Sequence, residues 1–402
     1  MNPETLYRHP NALAPAYSRF AIDAAPSPDH PLRLTGHSHQ AWPDVAREAV
    51  LRAYDDAAEH IDDKWGRAFE MAAAVEHGYA QRLGDTSGSI TLASSTHDLV
   101  VRFLSGLDLA QRPRLITTDG EFHTIRRQLD RLAEAGLDVV KLEASDPNTL
   151  ADRLVASVDD RTAAVLVSSV LFKSARIVPE LDRVLAACQR HGAELLVDTY
   201  HAVGVVPFDL GTLGLEGAYV VGGGYKYCQL GEGNCFLRVP EGCSLRPVIT
   251  GWFAEFHLLS NAPTEGVAYG EGAHRFAGAT YDPTSHYRGA AVFEFFDRQG
   301  LTPAVLREIS QHQVGLLRDG FDALDVDPAV IRREDVPLAE IAGFLVLETH
   351  HAGALSKALR EHGVATDFRG DSLRFGPAPY LSDRQLEHGI ETLGVVLGEL
   401  GS

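Results

Sequence analysis

The hydrophobic positions of the chain fall into short apolar runs and into longer segments whose apolar residues lie three and four positions apart. The short runs predict buried strands, and the longer segments predict amphipathic helices. Between about residues 45 and 83 the pattern is helical, and from residue 115 to residue 198 strands and helices alternate. Strands are predicted at Leu115–Thr117, Val139–Val140, Ala163–Ser168 and Leu195–Val197. Since these runs are apolar on both faces, they predict a mostly parallel sheet covered by helices.

The pattern changes after about Gly266, where the strand–helix alternation ends. Two long helical patterns follow, at about Ser285–Gln299 and Pro303–Leu324, and then a strand at Phe344–Leu347 and a last helix from Asp383. Prolines interrupt the first 45 residues too often for long helices. We therefore predict an α/β protein with three parts, which are an N-terminal arm (1–45), a large domain (46–265) and a small α+β C-terminal domain (266–402).

Composition and charge restrict the possible functions. The 402 residues include 36 Lys plus Arg and 55 Asp plus Glu, which gives a formal net charge of -19. A surface this acidic repels polyphosphate and argues against nucleic acid and anionic membranes as partners. The four cysteines have neither a zinc-binding spacing nor that of a secreted disulfide framework, and no apolar run is long enough for a transmembrane helix. The N-terminus does not look like a secretory signal, so we expect a soluble, cytoplasmic protein without a metal.

Asp198 and His201 come where the predicted strand Leu195–Val197 ends. In parallel sheets ligands bind beyond the carboxyl ends of the strands, so this position favours contact with a ligand. A carboxylate that caps the following helix is the alternative interpretation. The segment alone leaves both interpretations open.

Lys226 follows three glycines, Gly222–Gly224, and lies between two tyrosines. The glycines let the backbone approach another group closely. In such an apolar neighbourhood burial lowers the pKa of a lysine and makes it a nucleophile, which favours a Schiff-base lysine over a surface lysine.

Two other segments contain candidate anion-binding residues. Ser95 and Thr96 precede an amphipathic helix, where hydroxyl groups either cap the helix or accompany a phosphate bound to its amides. Arg374 lies inside an apolar strand before a Pro-x-Pro turn. Its guanidinium either binds a substrate carboxylate or pairs with a structural aspartate.

Taken in order along the chain, these segments resemble the kynureninases of the class V aminotransferase superfamily. Residues 198–210 are similar to the family's DLAHSAGAVPVDL segment, and Tyr225–Tyr227 with the glycines of 231–233 are similar to its Tyr-Lys-Tyr motif and glycine-rich tail. Gly251–Trp252 resembles a Gly-Trp-Trp element, and residues 373–379 resemble LRxxPxP. The resemblance extends over nearly the whole chain. It implies fold type I, the cofactor pyridoxal 5'-phosphate (PLP) and a homodimer with shared active sites.

The resemblance also implies roles for individual residues. Lys226 would hold PLP as a Schiff base and transfer the α-proton of the substrate. Asp198 would keep the pyridine nitrogen protonated, and His201 would orient the groups beside it. Arg374 would bind the substrate carboxylate. Further cofactor contacts are implied for Tyr225, Ser95 and Thr96 at the phosphate, Phe122 stacked on the ring, Trp252, and Thr280 across the dimer interface.

Several positions around the cofactor and the substrate side chain depart from the family pattern. His123 and Ile125 replace the proline and the aspartate that follow the stacking phenylalanine, and the family's GNSLG turn reads Gly36–Gln40 here. The substrate therefore need not be kynurenine. His37 and His39 are either loop histidines or acid–base groups at the substrate.

These features predict an enzyme that removes the α-proton of an amino acid and then cleaves a β–γ bond or eliminates a β-substituent. A class V aminotransferase uses the same lysine, aspartate and arginine and is the main alternative. A cysteine desulfurase is less favoured, because it needs a nucleophilic cysteine near the C-terminal third and the last cysteine is Cys243. A C–S lyase is ranked with it below the aminotransferase. A binding protein that has lost catalysis has little chemical reason to retain Lys226.

Overall fold

The computed structural model describes residues 12–86, 88–261 and 265–400. Residues 1–11 of the predicted N-terminal arm lie outside these ranges. No helix in the described ranges is long and apolar enough to cross a membrane.

Helices occur between the strands and in the C-terminal third, as the periodicity predicts. The segment expected to be helical from about 45 to 83 is two helices, because Ile61 has a left-handed backbone (φ 47°) that ends the first one. The α-helices are α1 Val45–His60, α2 Lys64–Arg82, α3 Thr96–Ser105, α4 His123–Glu134, α5 Leu150–Ser157, α6 Leu181–His191, α7 Leu210–Leu213, α8 Thr284–Gln299, α9 Pro303–Asp322, α10 Ala352–Glu361 and α11 Asp383–Leu400.

The strands form one large sheet and two small ones. They are β1 Leu32–Arg33, β2 Ser89–Ala93, β3 Arg114–Thr118, β4 Asp138–Leu142, β5 Thr162–Ser168, β6 Glu194–Asp198, β7 Tyr219–Gly223, β8 Cys235–Val239, β9 Leu345–Glu348, β10 Val364–Ala365, β11 Asp367–Arg369 and β12 Ser372–Phe375. The large sheet has seven strands in the order β2-β8-β7-β6-β5-β3-β4, and only β8 runs antiparallel to its neighbours. The predicted mostly parallel sheet covered by helices is confirmed.

The C-terminal third contains an antiparallel sheet in the order β11-β12-β9. Near the N-terminus, β1 pairs in parallel with β10, with Leu32 opposite Val364. The backbone of Gly36 also donates to Gly376, so the chain after β1 is held beside the end of β12. This pairing brings the histidines of the 36–40 turn to the same place as Arg374.

One buried ion pair fixes the antiparallel part of the large sheet. Arg238 on β8 is fully buried and donates from Nε and Nη2 to the carboxylate of Asp85, at 2.9 and 3.0 Å. Its Nη1 donates to the carbonyls of Glu216 and Ala218. These bonds tie the segments before β2 and β7 to β8.

Candidate active site

The candidate site lies where several strands of the large sheet end at one edge. Asp198 is the last residue of β6 and is in register with Ser168 at the end of β5. Gly223, the last residue of β7, is in register with Cys235 of β8, and Cys235 is also opposite Ala93 at the end of β2. Residues that follow β2, β6 and β7 therefore meet at this edge.

Lys226 is buried at the centre of this edge. Its Nζ lies 2.6 Å from Nε2 of His201. Burial lowers the pKa of Lys226 to about 7, although the charge of Asp198 acts in the opposite direction, and the charge of Arg374 lowers it further. A lysine with this pKa carries a substantial fraction of free amine near neutral pH, which a nucleophilic lysine requires.

Asp198 and His201 are also buried, and their surroundings oppose their charged forms. Burial raises the pKa of the Asp198 carboxyl, while a hydrogen bond from the Tyr200 backbone N–H (2.8 Å) and the charge of Lys226 oppose that rise. Burial and the charge of Lys226 lower the pKa of His201 well below its usual value. His201 is thus neutral near pH 7, and its Nε2 can accept a hydrogen bond from Lys226. Nδ1 of His201 is buried without a partner among the described residues.

Aromatic rings enclose the Lys226 nitrogen. Nζ lies 5.2 Å from the ring centroid of Phe122, 4.8 Å from that of Tyr200 and 5.6 Å from that of Tyr225. Phe122 is positioned by its extended backbone just before α4, and its ring packs perpendicular to Phe172. The rings of Phe122 and Tyr200 therefore present flat apolar surfaces to the space around the amine.

Tyr200 was not among the site residues predicted from the sequence. The signal was present, since the segment aligned with DLAHSAG has tyrosine where the family has its alanine. The glycine run explains how the larger side chain fits, because a Cβ added at Gly223 would lie 2.5 Å from the Tyr200 hydroxyl oxygen. Gly223 therefore accommodates the ring of Tyr200.

Glu121 is a second residue that the pattern did not reveal. It lies two residues before the start of α4 at His123, and its side chain is buried. Its carboxylate accepts hydrogen bonds from the hydroxyls of Thr118 (2.6 Å) and Ser168 (2.5 Å). Burial raises its pKa to about 7, and the nearby charge of Asp198 adds to that rise.

The N-terminus of α3 also faces this edge of the sheet, because α3 directly follows β2. Ser95 is its N-cap, and the Ser95 hydroxyl both donates to the Asp98 carboxylate and accepts from the Asp98 N–H. The capping interpretation of Ser95 is therefore correct for its hydroxyl. The amides at this ten-residue helix's start, including that of Thr96, carry the partial positive charge that binds phosphate.

Arg374 on β12 is buried and forms an extended network. It donates from Nε and Nη2 to the two oxygens of Asp367 (2.8 and 2.6 Å), and from Nη1 to the carbonyl of Phe172 (2.7 Å). Nε2 of His37 lies 2.8 Å from the Asp367 carboxylate, and the His37 ring stacks on Phe344. The pairing of Arg374 with an aspartate, one of the two sequence-based alternatives, is thus present. Asp367 occupies one side of the Arg374 guanidinium, and N–H groups of Nη1 and Nη2 remain for another ligand.

His37 and His39 differ in their surroundings. Burial lowers the pKa of His37 to about 4, so it is neutral near pH 7 and donates from Nε2 to Asp367. His39 is exposed, and its ring stacks on Tyr225 with centroids 4.8 Å apart. His37 is thus part of the buried Arg374 network, and His39 lies at its surface beside Tyr225.

Trp252 and Thr280 do not reach Lys226 within this chain. Trp252 begins the helical segment Trp252–Asn261 and packs on Phe253 and Phe256. Thr280 is exposed. Across the described ranges no contact joins either residue to Lys226, so their cofactor roles remain predictions. The same ranges contain no group of His, Cys, Asp and Glu side chains that could hold a metal ion.

The residues at the sheet edge fit a PLP molecule. The buried amine would meet the aldehyde of that cofactor, and the buried carboxyl group would meet its pyridine nitrogen. The flanking aromatic rings would cover its ring faces, and the helix N-terminus would bind its phosphate. The unpartnered Nδ1 of His201 is a further polar atom that a ligand would satisfy.

Comparisons with known proteins agree with this geometry. The chain is 24% identical over 411 residues to the kynureninase of Pseudomonas fluorescens, covering 96% of this chain and 93% of that protein. It is 22% identical over 357 residues to an uncharacterized aminotransferase of Bacillus subtilis, covering 86% of this chain and 90% of that one. No family model matches the sequence.

Solved structures share the fold. A complex of the cystine C-S lyase C-DES with cysteine persulfide has a TM-score of 0.76 at 20% identity, covering 90% of this chain and 96% of that chain. The cysteine desulfurase from Thermococcus onnurineus NA1 has a TM-score of 0.74 at 17% identity, covering 92% and 96%. The chain is thus similar to curated kynureninases and to an aminotransferase, and it shares its fold with PLP-dependent enzymes. These findings agree with the resemblance to the class V aminotransferase superfamily that the sequence motifs indicate.

Proposed function

We propose that this protein is a PLP-dependent enzyme that acts on an α-amino acid and cleaves it at the β-carbon, as kynureninases do. The observation that carries the proposal is the buried Lys226, whose pKa is lowered to about 7 and whose nitrogen lies 5.2 and 4.8 Å from the ring centroids of Phe122 and Tyr200. PLP, when bound, supplies the electron sink that stabilises negative charge at the α-carbon.

The chain's own residues supply binding, orientation and proton transfer. The amides at the start of α3 bind the phosphate, and Asp198 holds the proton at the pyridine nitrogen. Lys226 anchors the cofactor and then moves the proton at the substrate α-carbon, and His201 orients it through the 2.6 Å contact. Arg374 binds the substrate carboxylate with the N–H groups that Asp367 leaves free.

The positions of the cysteines disfavour desulfurase chemistry, which needs a reactive thiol near the substrate. Cys243 contacts the hydroxyl of Tyr219, the residue at the start of β7, whereas Lys226 follows the opposite end of that strand. Cys235 lies at the site's edge, but burial raises its thiol pKa to about 11. A thiol with that pKa is protonated near pH 7 and is a poor nucleophile.

An amino-acid panel tests the proposed reaction on the purified protein. Release of alanine, pyruvate or an acid derived from the side chain supports β-cleavage. Amino transfer that requires an added keto acid would establish the aminotransferase alternative, which the similarity to the Bacillus subtilis protein favours. Lys226→Ala is expected to lose the yellow colour that borohydride fixes in the wild type, and a colourless wild-type protein would refute PLP dependence.

We also propose that the enzyme works as a homodimer, with Thr280 of one subunit near the phosphate site of the other. Residues 248–252, which precede Thr280 in the chain, expose three large apolar side chains. These are Val248 (82% exposed), Ile249 (52%) and Trp252 (44%). Such a patch is typical of a protein interface. A monomer at micromolar concentration in analytical ultracentrifugation would refute this part of the proposal.

A further inference from the structure

Basic residues from three parts of the chain lie near Arg374 although the chain carries a net charge of -19. Arg369 ends β11, Lys173 lies in the loop after β5, and His123 begins α4. All three are exposed side chains from different parts of the chain. His123 and Lys173 contact the ring of Phe172, whose carbonyl accepts from Arg374.

The distances around Phe172 locate this cluster at the mouth of the site. The ring centroid of His123 lies 5.7 Å from that of Phe172, and Nζ of Lys173 lies 6.0 Å from the same centroid. Phe172 in turn packs against Phe122, which borders Lys226. His123 and Lys173 therefore lie beside the aromatic residues that border the buried amine.

Arg369 lies on the same side of its strand as Asp367. Residues two apart on a strand point to the same face, about 7 Å from each other. The Arg369 guanidinium is 3.7 Å from an oxygen of Asp367, but that carboxylate is already bound to Arg374 and His37 at shorter distances. The single negative charge of Asp367 therefore does not neutralise both Arg374 and Arg369.

Electrostatic interactions agree with this placement. Burial and the charges of Arg126, Arg369 and Lys173 lower the pKa of His123, and the charge of Arg369 also lowers the pKa of Lys226. Arg126 has its own partner, Asp130, at 3.0 Å. Lys173 lines a cavity with Asp119 and Glu143, but among the described residues it forms no ion pair. Arg369 and Lys173 therefore remain to bind an anion.

We propose that Arg369 and Lys173 form a second anion subsite, which binds an acidic group at the far end of the substrate side chain. This inference rests on the proposed function and names its substrate class, an amino acid with a carboxylate or similar acid on its side chain. The α-carboxylate would lie at Arg374 and the second acid at Arg369, since the two guanidiniums approach the same oxygen of Asp367, at 2.6 and 3.7 Å. Such a substrate carries two negative charges, which the cationic mouth attracts.

Simple acids test the subsite without catalysis. Isothermal titration of the purified protein compares glutarate with valerate and adipate with hexanoate, which are pairs of equal carbon number. We expect the diacid to bind roughly 10- to 100-fold more tightly than its monoacid, the contribution of a charge-assisted hydrogen bond. Since the subsite is partly exposed, added salt is expected to reduce that preference. Equal affinities, or no detectable diacid binding, would overturn the proposal.

Variants show which cations are responsible. Arg369→Gln should remove most of the diacid preference and Lys173→Gln part of it, with monoacid binding unchanged. Lys357→Gln is the matched control, because Lys357 is exposed on α10 and pairs with Glu361. A diacid preference that survives both Arg369→Gln and Lys173→Gln contradicts the assignment. So does an equal loss of monoacid and diacid binding in Arg369→Gln, which would make Arg369 the receptor for the first carboxylate.

The test remains separate from that of the proposed function. Glutarate and adipate have no amino group, so their binding needs no reaction with Lys226. If the protein contains no PLP but prefers diacids through Arg369, the proposed function fails and the subsite stands. If the protein is yellow and cleaves amino acids but shows no diacid preference, the subsite fails alone.

Discussion

The free amine of Lys226 is expected to titrate near neutral pH, far below an ordinary lysine. Burial lowers its pKa to about 7. At pH 7 about half of the side chain is then neutral, whereas a lysine with a pKa of about 10.4 is neutral in roughly one molecule in 2,500. Its reactive fraction at pH 7 is therefore roughly a thousandfold larger than that of a surface lysine.

Competitive labelling with a small acylating reagent measures this pKa directly. The chain has five lysines, and the other four provide internal standards in the same sample. Protein freed of any cofactor is labelled across a pH series, and mass spectrometry gives the rate for each lysine peptide. Limited access to the buried amine changes the plateau of the profile and not its midpoint, so burial does not confound the measurement.

Two substitutions are expected to move the midpoint in opposite directions. Arg374→Gln removes a nearby positive charge and should raise the midpoint for Lys226, whereas Asp198→Asn removes a negative charge and should lower it. A wild-type midpoint near pH 10 would refute the reasoning about burial. Shifts of the two variants in the same direction would refute the assignment of the charges.

Three further changes test other parts of the structure. Asp85→Ala leaves the fully buried Arg238 without its carboxylate and should cost about 3–5 kcal/mol of unfolding free energy in urea titrations, most of which an Asp85→Leu/Arg238→Met double variant should restore. Tyr200→Ala removes one aromatic face beside Lys226 and should weaken PLP binding by roughly 2- to 10-fold, whereas Tyr200→Phe should not. Glu121→Gln tests the buried carboxyl whose pKa is raised to about 7. Because the folded state favours the protonated carboxyl, the wild type loses unfolding free energy as the pH rises from about 4.5 to 7. The variant has no such loss, so its unfolding free energy relative to the wild type should rise by up to about 3 kcal/mol between pH 4.5 and pH 8. A pH-independent difference for that variant would contradict the raised pKa.

The sequence predicted the large sheet and the positions of Asp198 and Lys226 at its edge better than it predicted the small sheets. Long apolar runs identified β5 and β6, and the turn residues after β6 and β7 indicated where Asp198 and Lys226 would lie. Such signals are local, since a buried strand and a glycine turn are each defined by adjacent residues. β1 and β10, of two residues each, are too short for any periodicity, and their pairing depends on contacts between distant parts of the chain.

The site residues that were missed depend on the same long-range contacts. Asp367 is an ordinary acidic residue in sequence, and only the pairing of β11 with β12 places it opposite Arg374. Glu121 is likewise an ordinary acidic residue in sequence, and the extended backbone at Phe122 directs it into the core. Tyr200 was the exception, because its substitution for the family's alanine was visible in the sequence beside the glycines that accommodate it.

Binding of a diacid at the anion subsite is expected to change the pKa of Lys226. The positive charges of Arg374 and Arg369 both help to lower the pKa of Lys226. A bound diacid offsets these charges and stabilises the ammonium form, so saturating glutarate should raise the labelling midpoint of Lys226 from pH 7 to roughly pH 8, as expected for one charge at such a distance in a partly solvated site. Valerate, with one charge, should raise it less. If glutarate only blocks access to the amine, the plateau of the profile falls and the midpoint stays in place, and the proposed proximity of the subsite to Lys226 is then wrong.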